Sequence, residues 1–242
     1  MIITQTPLRI SFAGGGTDFK DFYENDGHGA VVSATIDKYI YVIVNERFDD
    51  SIRVTYTKTE IVDKVDDIQH DLVREAMRLT GVESGVDVLT LADVPSEGSG
   101  LGSSSAVTVG LLNALHAYKA RHVGPETLAC EACRIEIDVL GRPIGKQDQY
   151  IAAYGGLKHM RFESGGEVVV NNIPLNPMGF HRLSESLALF YTGVTRNSSD
   201  ILKEQKSNIA DKMSVLSAMR DQADELAGLM NLVPLVPQAK RN

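Results

Sequence analysis

The stretch PSEGSGLGSSSAVTVGLLNAL, residues 95–115, joins a loop of small residues to a largely apolar helix. Its glycine loop, residues 98–105, consists of three glycines, four serines and one leucine. Unpaired N–H groups and the positive end of the helix dipole meet at a helix start, and glycines let a ligand approach the backbone. The stretch therefore predicts an anion site, with phosphate as the candidate ligand. A flexible connection that binds nothing is the alternative.

The composition is that of an ordinary globular chain of 242 residues, 43% hydrophobic and 23% charged. The formal net charge of -8 argues against a general nucleic-acid or membrane-surface binder, because both need a basic face. No segment has the roughly 18 apolar residues of a membrane span, and the N-terminus lacks a signal-peptide pattern. We therefore expect a cytoplasmic protein with small-molecule partners, no nucleic acid and no membrane contact.

The hydrophobic pattern predicts strands, then helices, then strands, then one long helix. The predicted strands are 2–13 with a break at Pro7, 29–46, 51–57, VDVLTLAD at 86–93, a hairpin of 157–162 and 167–170, and LALFYTG at 187–193. The predicted helices are 66–80 with a stop at Gly81, 103 to about 121, 125–140 with Gly141 after it, and Asp200 to about Met230. Because this order lacks regular βαβ alternation, it predicts an α+β fold.

A second motif, GRPIGKQDQY at residues 141–150, carries Asp148 in a short segment next to Lys146. A carboxylate near a cation can stay ionised and accept a proton, although a solvated loop aspartate is the alternative. Glu136 on the preceding helix could contact a metal ion together with a serine hydroxyl of the glycine loop. A surface glutamate is the commoner fate of this residue type.

Two further segments are polar and lie outside the predicted helices. In TPLRISFAGGGTD, residues 6–18, the glycines end a strand with a turn that places Thr17 and Asp18 beside whatever lies over it. A bare turn is the alternative. In the loop TRNSS, Arg196 could pair with a phosphate dianion through two parallel hydrogen bonds, or it could be a solvated arginine.

Together, TPLRISFAGGGTD, PSEGSGLGSSSA and GRPIGKQDQY, in this order, resemble the GHMP kinases, a family named for galactokinase, homoserine kinase, mevalonate kinase and phosphomevalonate kinase. The middle stretch is similar to the family's P-x-x-x-G-L-G-S-S-A loop, with one more residue between Pro95 and Gly100 and with Ser105 where alanine is usual. IEIDVLGRPIGKQDQY and YTGVTRNSSDIL look most like the bacterial D-glycero-D-manno-heptose 7-phosphate kinase branch. The resemblance runs from residue 1 to about 225.

The resemblance implies ATP and Mg²⁺ as cofactors and a role for each matching residue. Ser104 and Glu136 would bind Mg²⁺, Asp148 would accept the proton of the substrate hydroxyl, and Arg9 would support Asp148 and the transferring phosphate. The ATP phosphates would lie on Gly98, Gly100, Leu101, Gly102, Ser103, Ser104 and Ser105. The sugar would be held by Thr17, Asp18, Arg196 and Ser198.

The resemblance also implies two domains, an N-terminal domain of the ribosomal-protein-S5-domain-2-like type at 1–178 and a ferredoxin-like C-terminal domain at 179–242. Family members carry a third glycine-rich motif near the C-terminus, and nothing after Gly193 resembles it. We therefore expect an incomplete C-terminal domain with an unfinished sheet edge. Such a chain should be less stable than a complete relative, self-associate through this region as a homo-oligomer, and have weak or absent activity.

The function implied by the resemblance is ATP-dependent phosphorylation of the anomeric hydroxyl of a heptose 7-phosphate, for synthesis of nucleotide-activated heptose. Two alternatives remain, a kinase for another sugar and a catalytically silent module that binds nucleotide or sugar phosphate. Asp148, Glu136 and Ser104 favour an enzyme, whereas the missing C-terminal motif favours the silent module.

Overall fold

The computed structural model describes residues 1–95, 99–190, 193 and 208–232. Its strands are β1 Ile2–Ala13, β2 His28–Glu46, β3 Ile52–Thr55, β4 Thr59–Val62, β5 Val86–Ala92, β6 Leu157–Glu163 and β7 Val168–Asn172. Its α-helices are α1 Lys20–Tyr23, α2 Asp71–Thr80, α3 Ser103–Tyr118, α4 Pro125–Cys133, α5 Gln147–Tyr154, α6 Pro177–Glu185 and α7 Met213–Leu232. This mixture of sheet and helices confirms the predicted α+β class.

The chain forms two compact units. Among the described residues, the first comprises Met1–Ile10 and Ala34–Gly155. The second comprises Ser11–Ser33 and the described parts of Gly156–Thr195 and Asn208–Asn242. Strands β1 and β2 each contribute residues to both units. The domain boundary expected after residue 178 stays a prediction.

In the first unit, the strands pair in the order β4-β3-β5-β2, and β1 also pairs with β2. β5 is antiparallel to β2, with Ile40 opposite Ala92, and it is parallel to β3. Alternate residues of β2, Ile40, Val42 and Val44, are buried, as the period of two in a strand requires when one face carries the core. Helices α2 and α3 pack against this sheet, and their buried residues form one hydrophobic core with those of the strands.

Helix α2 ends as predicted but starts later than predicted. Gly81 has the left-handed backbone, φ 72°, that stops a helix, and its N–H donates to the carbonyl of Met77. The predicted start at residue 66 is wrong, because residues 65–67 form a separate 3-10 turn. His70 then caps α2 by accepting a hydrogen bond from the N–H of Val73, at 3.5 Å. The helix therefore begins at Asp71.

In the second unit, β6 and β7 form the predicted antiparallel hairpin, with Phe162 opposite Val168. Strand β6 also pairs with β2. The ring of Tyr23 stacks on the ring of Phe162, with 6.4 Å between the ring centroids. Helix α7 contributes Asp224, whose carboxylate oxygens lie 2.9 Å from His28 Nε2 and 2.8 Å from His159 Nε2. These contacts tie α7 to β2 and β6.

Two strand predictions are corrected by the structure. Strand β1 runs through Pro7 without a break, and an edge strand can hold a proline because the missing N–H need not join a ladder. The predicted strand 187–193 is wrong over residues 187–190, which follow α6 without regular structure. Residues 191 and 192, and the predicted helical residues 200–207, lie outside the described part of the chain. Nowhere in the described ranges is a helix both long and apolar enough to cross a membrane.

Candidate active site

The glycine loop of the first unit opens directly onto the start of α3. Gly102 is the residue before the helix, with φ 77°, and its carbonyl accepts the first helical hydrogen bond, from the N–H of Ala106 at 3.0 Å. No side chain in the described ranges caps this helix end. The N–H groups of the first turn, which starts at Ser103, have no acceptor within the helix and can donate to an anion. Gly98 lies outside the described residues.

Arg9 and Asp148 form an ion pair beside this loop. Arg9 Nε donates to Asp148 Oδ1 at 2.7 Å, and Nη2 donates to Oδ2 at 2.9 Å. Arg9 also donates from Nη1 to the carbonyl of Gly100 at 2.6 Å and from its backbone N–H to the carbonyl of Leu101 at 3.1 Å. The interpretation of Asp148 as a loop residue is wrong, because it lies in the first turn of α5. Arg9 therefore connects the loop to the carboxylate.

The ion pair also packs directly against the backbone of the glycine loop. A Cβ atom at Gly102 would lie 3.3 Å from Arg9 Cγ and 3.3 Å from Asp148 Oδ2. The positive φ and the close approach both favour glycine at this position. The N-terminus of α3 and the Asp148 carboxylate meet at this one residue.

Glu136 is fully buried and accepts hydrogen bonds at both carboxylate oxygens. Oε1 accepts from Ser104 Oγ at 3.2 Å and from Thr108 Oγ1 at 2.5 Å. Oε2 accepts from Ser105 Oγ at 2.7 Å and from Gln149 Nε2 at 2.7 Å. The interpretation of Glu136 as a surface glutamate is therefore wrong. Its carboxylate lies under the serines with which α3 begins.

Glu136 lies on a widened helical turn that continues α4. The segment Arg134–Val139 is π-helical, and the N–H of Leu140 donates to the carbonyl of Ile135 at 3.0 Å, five residues earlier. Such turns recur at functional sites because they re-aim a side chain within a helix. Burial raises the pKa of the Glu136 carboxyl above its ordinary value, against the hydrogen bonds and the nearby guanidinium, which lower it.

Arg142 brings a positive charge to the same place. Its Nη1 donates to Ser104 Oγ and lies 3.9 Å from Glu136 Oε1. Its Nη2 donates to both carboxylate oxygens of Asp71, at 3.1 and 3.0 Å. The guanidinium therefore bridges the start of α2 and the start of α3.

The oxygen donors around Glu136 suit a hydrated divalent cation. A serine hydroxyl and a carboxylate are the hard ligands that Mg²⁺ prefers, and Mg²⁺ commonly completes its shell with waters and substrate phosphates. Gln149 Oε1, on the amide that donates to Glu136, is buried without a hydrogen-bond partner among the described residues, so it can accept from a water. Those residues contain no group of three or more His, Cys, Asp or Glu that could hold a metal. The Ser104 hydroxyl and the Glu136 carboxylate are nevertheless oxygen ligands of the type that Mg²⁺ uses together with phosphates and waters.

The sugar residues expected from the sequence lie in the second unit or outside the described residues. Thr17 is fully buried, and its Oγ1 lies 2.8 Å from the carbonyl of Gly14 and 2.9 Å from that of Ala30. Asp18 is buried and accepts from the N–H of Gly16 at 3.2 Å. This turn is packed rather than bare. Roles of Thr17 and Asp18 toward a sugar stay predictions, as do those of Arg196 and Ser198, which lie outside the described part.

Sequence reasoning missed three residues of this network, Thr108, Gln149 and Arg142. Thr108 lies four residues after Ser104, so the helical period would have placed both on one face of α3. Gln149 follows Asp148 directly, in a segment for which the sequence predicts no helix. The contacts of Arg142 join residues 38 and 71 positions apart, and no local pattern could have indicated them.

A glycine loop that opens onto a helix N-terminus is a general site for phosphates. Here a buried carboxylate and an Arg–Asp pair lie beside that site, which defines a candidate phosphate-binding protein of the α+β class. Residues 68–156 match the family model of the GHMP kinases N terminal domain. Residues 68–156 are thus a GHMP kinases N-terminal domain, which confirms the predicted family and the α+β fold. GHMP kinases use ATP.

Two named relatives are kinases of small molecules. Over 226 residues the chain is 33% identical to the D-glycero-alpha-D-manno-heptose 7-phosphate kinase of Campylobacter jejuni, covering 88% of this chain and 66% of the relative. It is 34% identical over 132 residues to a mevalonate kinase of Methanothermobacter thermautotrophicus, covering 53% of this chain and 42% of that protein. The chain thus spans less than two thirds of either relative.

Among solved structures, a D-glycero-D-manno-heptose 1-phosphate kinase from Bacteroides thetaiotaomicron is similar at a TM-score of 0.73 and 25% identity. That match covers 95% of this chain and 76% of the other.

Proposed function

We propose that this chain is an ATP-dependent sugar kinase that transfers the γ-phosphate of ATP to the anomeric hydroxyl of a heptose 7-phosphate, giving the heptose 1,7-bisphosphate. The observation that carries the proposal is the Arg9–Asp148 pair packed against Gly102. This pair holds the Asp148 carboxylate next to the N-terminus of α3, where backbone N–H groups can donate to a phosphate. Phosphoryl transfer needs positioning and charge neutralisation more than covalent chemistry, so few side chains suffice.

The nucleotide phosphates would lie on the glycine loop, residues 98–105. Backbone N–H groups at the start of α3 would donate to their oxygens, and the helix dipole would favour their negative charge. Gly102 has no side chain, which leaves the space that a phosphate needs next to the backbone.

Ser104 and Glu136 would hold Mg²⁺ together with the β- and γ-phosphate oxygens. The bound cation would neutralise phosphate charge that develops as the bond to the leaving ADP breaks. The hydrogen bonds that Glu136 receives from Thr108 and Gln149 fix its carboxylate, so the protein would present an oriented ligand.

Asp148 would accept the proton of the sugar hydroxyl. As the hydroxyl oxygen bonds to the γ-phosphorus, the bond between that phosphorus and the bridging oxygen breaks, and ADP leaves with the electron pair. Arg9 binds both oxygens of Asp148, which fixes the plane of the carboxylate toward the hydroxyl.

For the acceptor, two similar proteins carry names that specify phosphorylated heptoses. Thr17 and Asp18 would bind sugar hydroxyls, and Arg196 with Ser198 would bind the phosphate of the sugar. The product would enter the synthesis of nucleotide-activated heptose for surface polysaccharide.

The test is ADP release from purified protein with ATP, Mg²⁺ and a panel of sugars and sugar phosphates. We expect the fastest release with heptose 7-phosphate and a new anomeric phosphate by phosphorus NMR. Arg196→Gln should raise KM for the phosphorylated heptose and leave KM for ATP unchanged. Equal rates for heptose and its 7-phosphate would contradict the acceptor, and ATP binding without turnover on any acceptor would favour the silent module.

A further inference from the structure

In the first unit, the Arg142 side chain lies next to Ser104 and Glu136, the two residues proposed to hold Mg²⁺. Arg142 donates to Ser104 Oγ, and the same nitrogen lies 3.9 Å from Glu136 Oε1. The Arg142 side chain is 27% exposed, so it is only partly buried. The roles proposed above for the glycine loop and for the Arg9–Asp148 pair do not involve Arg142.

We propose that Arg142 competes with the divalent cation for Ser104 and Glu136 and thereby sets the cation concentration that the nucleotide site requires. The inference rests on the proposed function, because it concerns the cation bound with ATP. It assigns to Arg142 the role of a positioning residue that acts on metal affinity, separate from proton transfer at Asp148.

The competition follows from distance and charge. Mg²⁺ would need to lie about 2.0–2.1 Å from Ser104 Oγ, where an Arg142 N–H now donates. Two cations near one carboxylate repel each other strongly in a partly buried site. Glu136 Oε1 accepts from Ser104 and Thr108 already, so it has little capacity left for both a guanidinium and a metal ion. The guanidinium must therefore withdraw when the cation binds.

Asp71 gives the displaced guanidinium a partner. Arg142 Nη2 contacts both oxygens of Asp71, which begins α2 and whose side chain is 42% exposed. Arg142 can thus leave Ser104 and keep its pairing with a carboxylate on the solvent side. Withdrawal then costs one hydrogen bond to a neutral hydroxyl and the 3.9 Å pairing with Glu136, while the hydrogen-bonded pair with Asp71 is kept. Because the cation would replace the guanidinium as the charge next to Glu136, exchange with a metal ion is feasible.

The test measures cation binding directly. Wild-type protein, Arg142→Gln and Arg142→Lys are titrated with Mn²⁺ at a saturating concentration of a non-hydrolysable ATP analogue, and free Mn²⁺ is read by EPR. Affinity for the analogue in EDTA is measured by calorimetry. Arg134→Gln is the matched control, because it removes the same charge from an exposed position on the neighbouring π-helical turn.

We expect Arg142→Gln to bind Mn²⁺ on the order of ten-fold more tightly than wild type, the scale of changes next to a metal ligand. Arg142→Lys should stay near wild type, because it keeps the charge, and Arg134→Gln should match wild type. The proposal is overturned if Arg142→Gln binds Mn²⁺ as wild type does or more weakly, or if Arg142→Lys tightens binding as much as Arg142→Gln. Failure of the analogue to bind with or without Mn²⁺ would instead contradict the proposed kinase function.

Discussion

The carboxylate of Asp148 lies against the backbone of Gly102, where an added Cβ would come within 3.3 Å of Asp148 Oδ2. The glycine loop and the proposed proton acceptor therefore cannot be moved independently. A side chain at residue 102 would displace Asp148, Arg9 or the start of α3.

Gly102→Val should weaken binding of the ATP analogue at least ten-fold, because the new side chain displaces the ion pair and fills the space of a phosphate. Calorimetry gives the affinity, and thermal denaturation gives the cost of the strained backbone, about 1–3 kcal/mol. Gly81→Ala is the control for strain alone, since Gly81 also has a positive φ but no neighbour within 4 Å of an added Cβ. Unchanged analogue affinity in Gly102→Val would show that the loop does not bind the phosphates.

Asp148→Asn should lower kcat by about 10²–10⁴, because it keeps the shape of the side chain and removes the proton acceptor. Analogue affinity should change little, since the phosphates would be held by backbone N–H groups. Asp138→Asn makes the same chemical change at an exposed position of the same unit and should turn over normally. Near-full turnover in Asp148→Asn would mean that another group accepts the proton.

Glu136→Gln should raise the Mg²⁺ concentration needed for half-maximal ADP release, because a neutral amide is a weaker ligand for a hard cation. It should also lower the free energy of unfolding by about 1–3 kcal/mol, since an amide nitrogen would face side chains that now donate to Glu136. Chemical denaturation and a Mg²⁺ titration measure the two effects, with the exposed Glu167→Gln as the matched control. Identical Mg²⁺ dependence in both variants would remove Glu136 from the metal site.

Asp224→Asn should destabilise the second unit by about 1 kcal/mol near pH 6, because Asp224 bonds to both His28 and His159. Burial acts to raise the pKa of Asp224, but the bonds to His28 and His159 outweigh it and hold the pKa below 3.8. A carboxyl with a lowered pKa contributes stability above its unfolded pKa and loses it as pH falls through the folded value.

The difference in the free energy of unfolding between wild type and Asp224→Asn, measured with a denaturant, should therefore decrease as pH is lowered below about 4. A difference that stays constant from pH 6 to pH 2.5 would show that the contacts of Asp224 with the two histidines contribute nothing to stability.

Local patterns predicted those parts of the fold that local chemistry controls. Gly81 ended α2 because only glycine readily takes the left-handed backbone there, and Pro125 began α4 because its missing N–H is not needed at that position. The strand-like stretches 157–162 and 167–170, on either side of the turn residues Ser164, Gly165 and Gly166, predicted the β6–β7 hairpin. These features need no information from distant parts of the chain.

Other features depend on contacts that no local pattern encodes. The glycines around GRPIGKQDQY suggested a loop, yet α5 starts at Gln147 and its residues Tyr150 and Tyr154 hydrogen-bond to Glu126 on α4. The burial of Glu136 depends on donors from α3 and α5. Motif resemblance selected Arg9, Asp148, Ser104 and Glu136 as candidates, but their mutual distances come from tertiary structure.

The wide turn at Arg134–Val139 makes this part of the chain more sensitive to changes of length than to changes of side chain. Each residue of an α-helix turns the next by about 100°, so deletion of one residue between Cys133 and Glu136 would restore a regular helix and rotate Glu136 away from Ser105. Substitutions at exposed Arg134 or Asp138 leave that register intact. Among natural variants of this chain, we expect insertions and deletions to be excluded from 134–139, whereas its exposed positions vary freely.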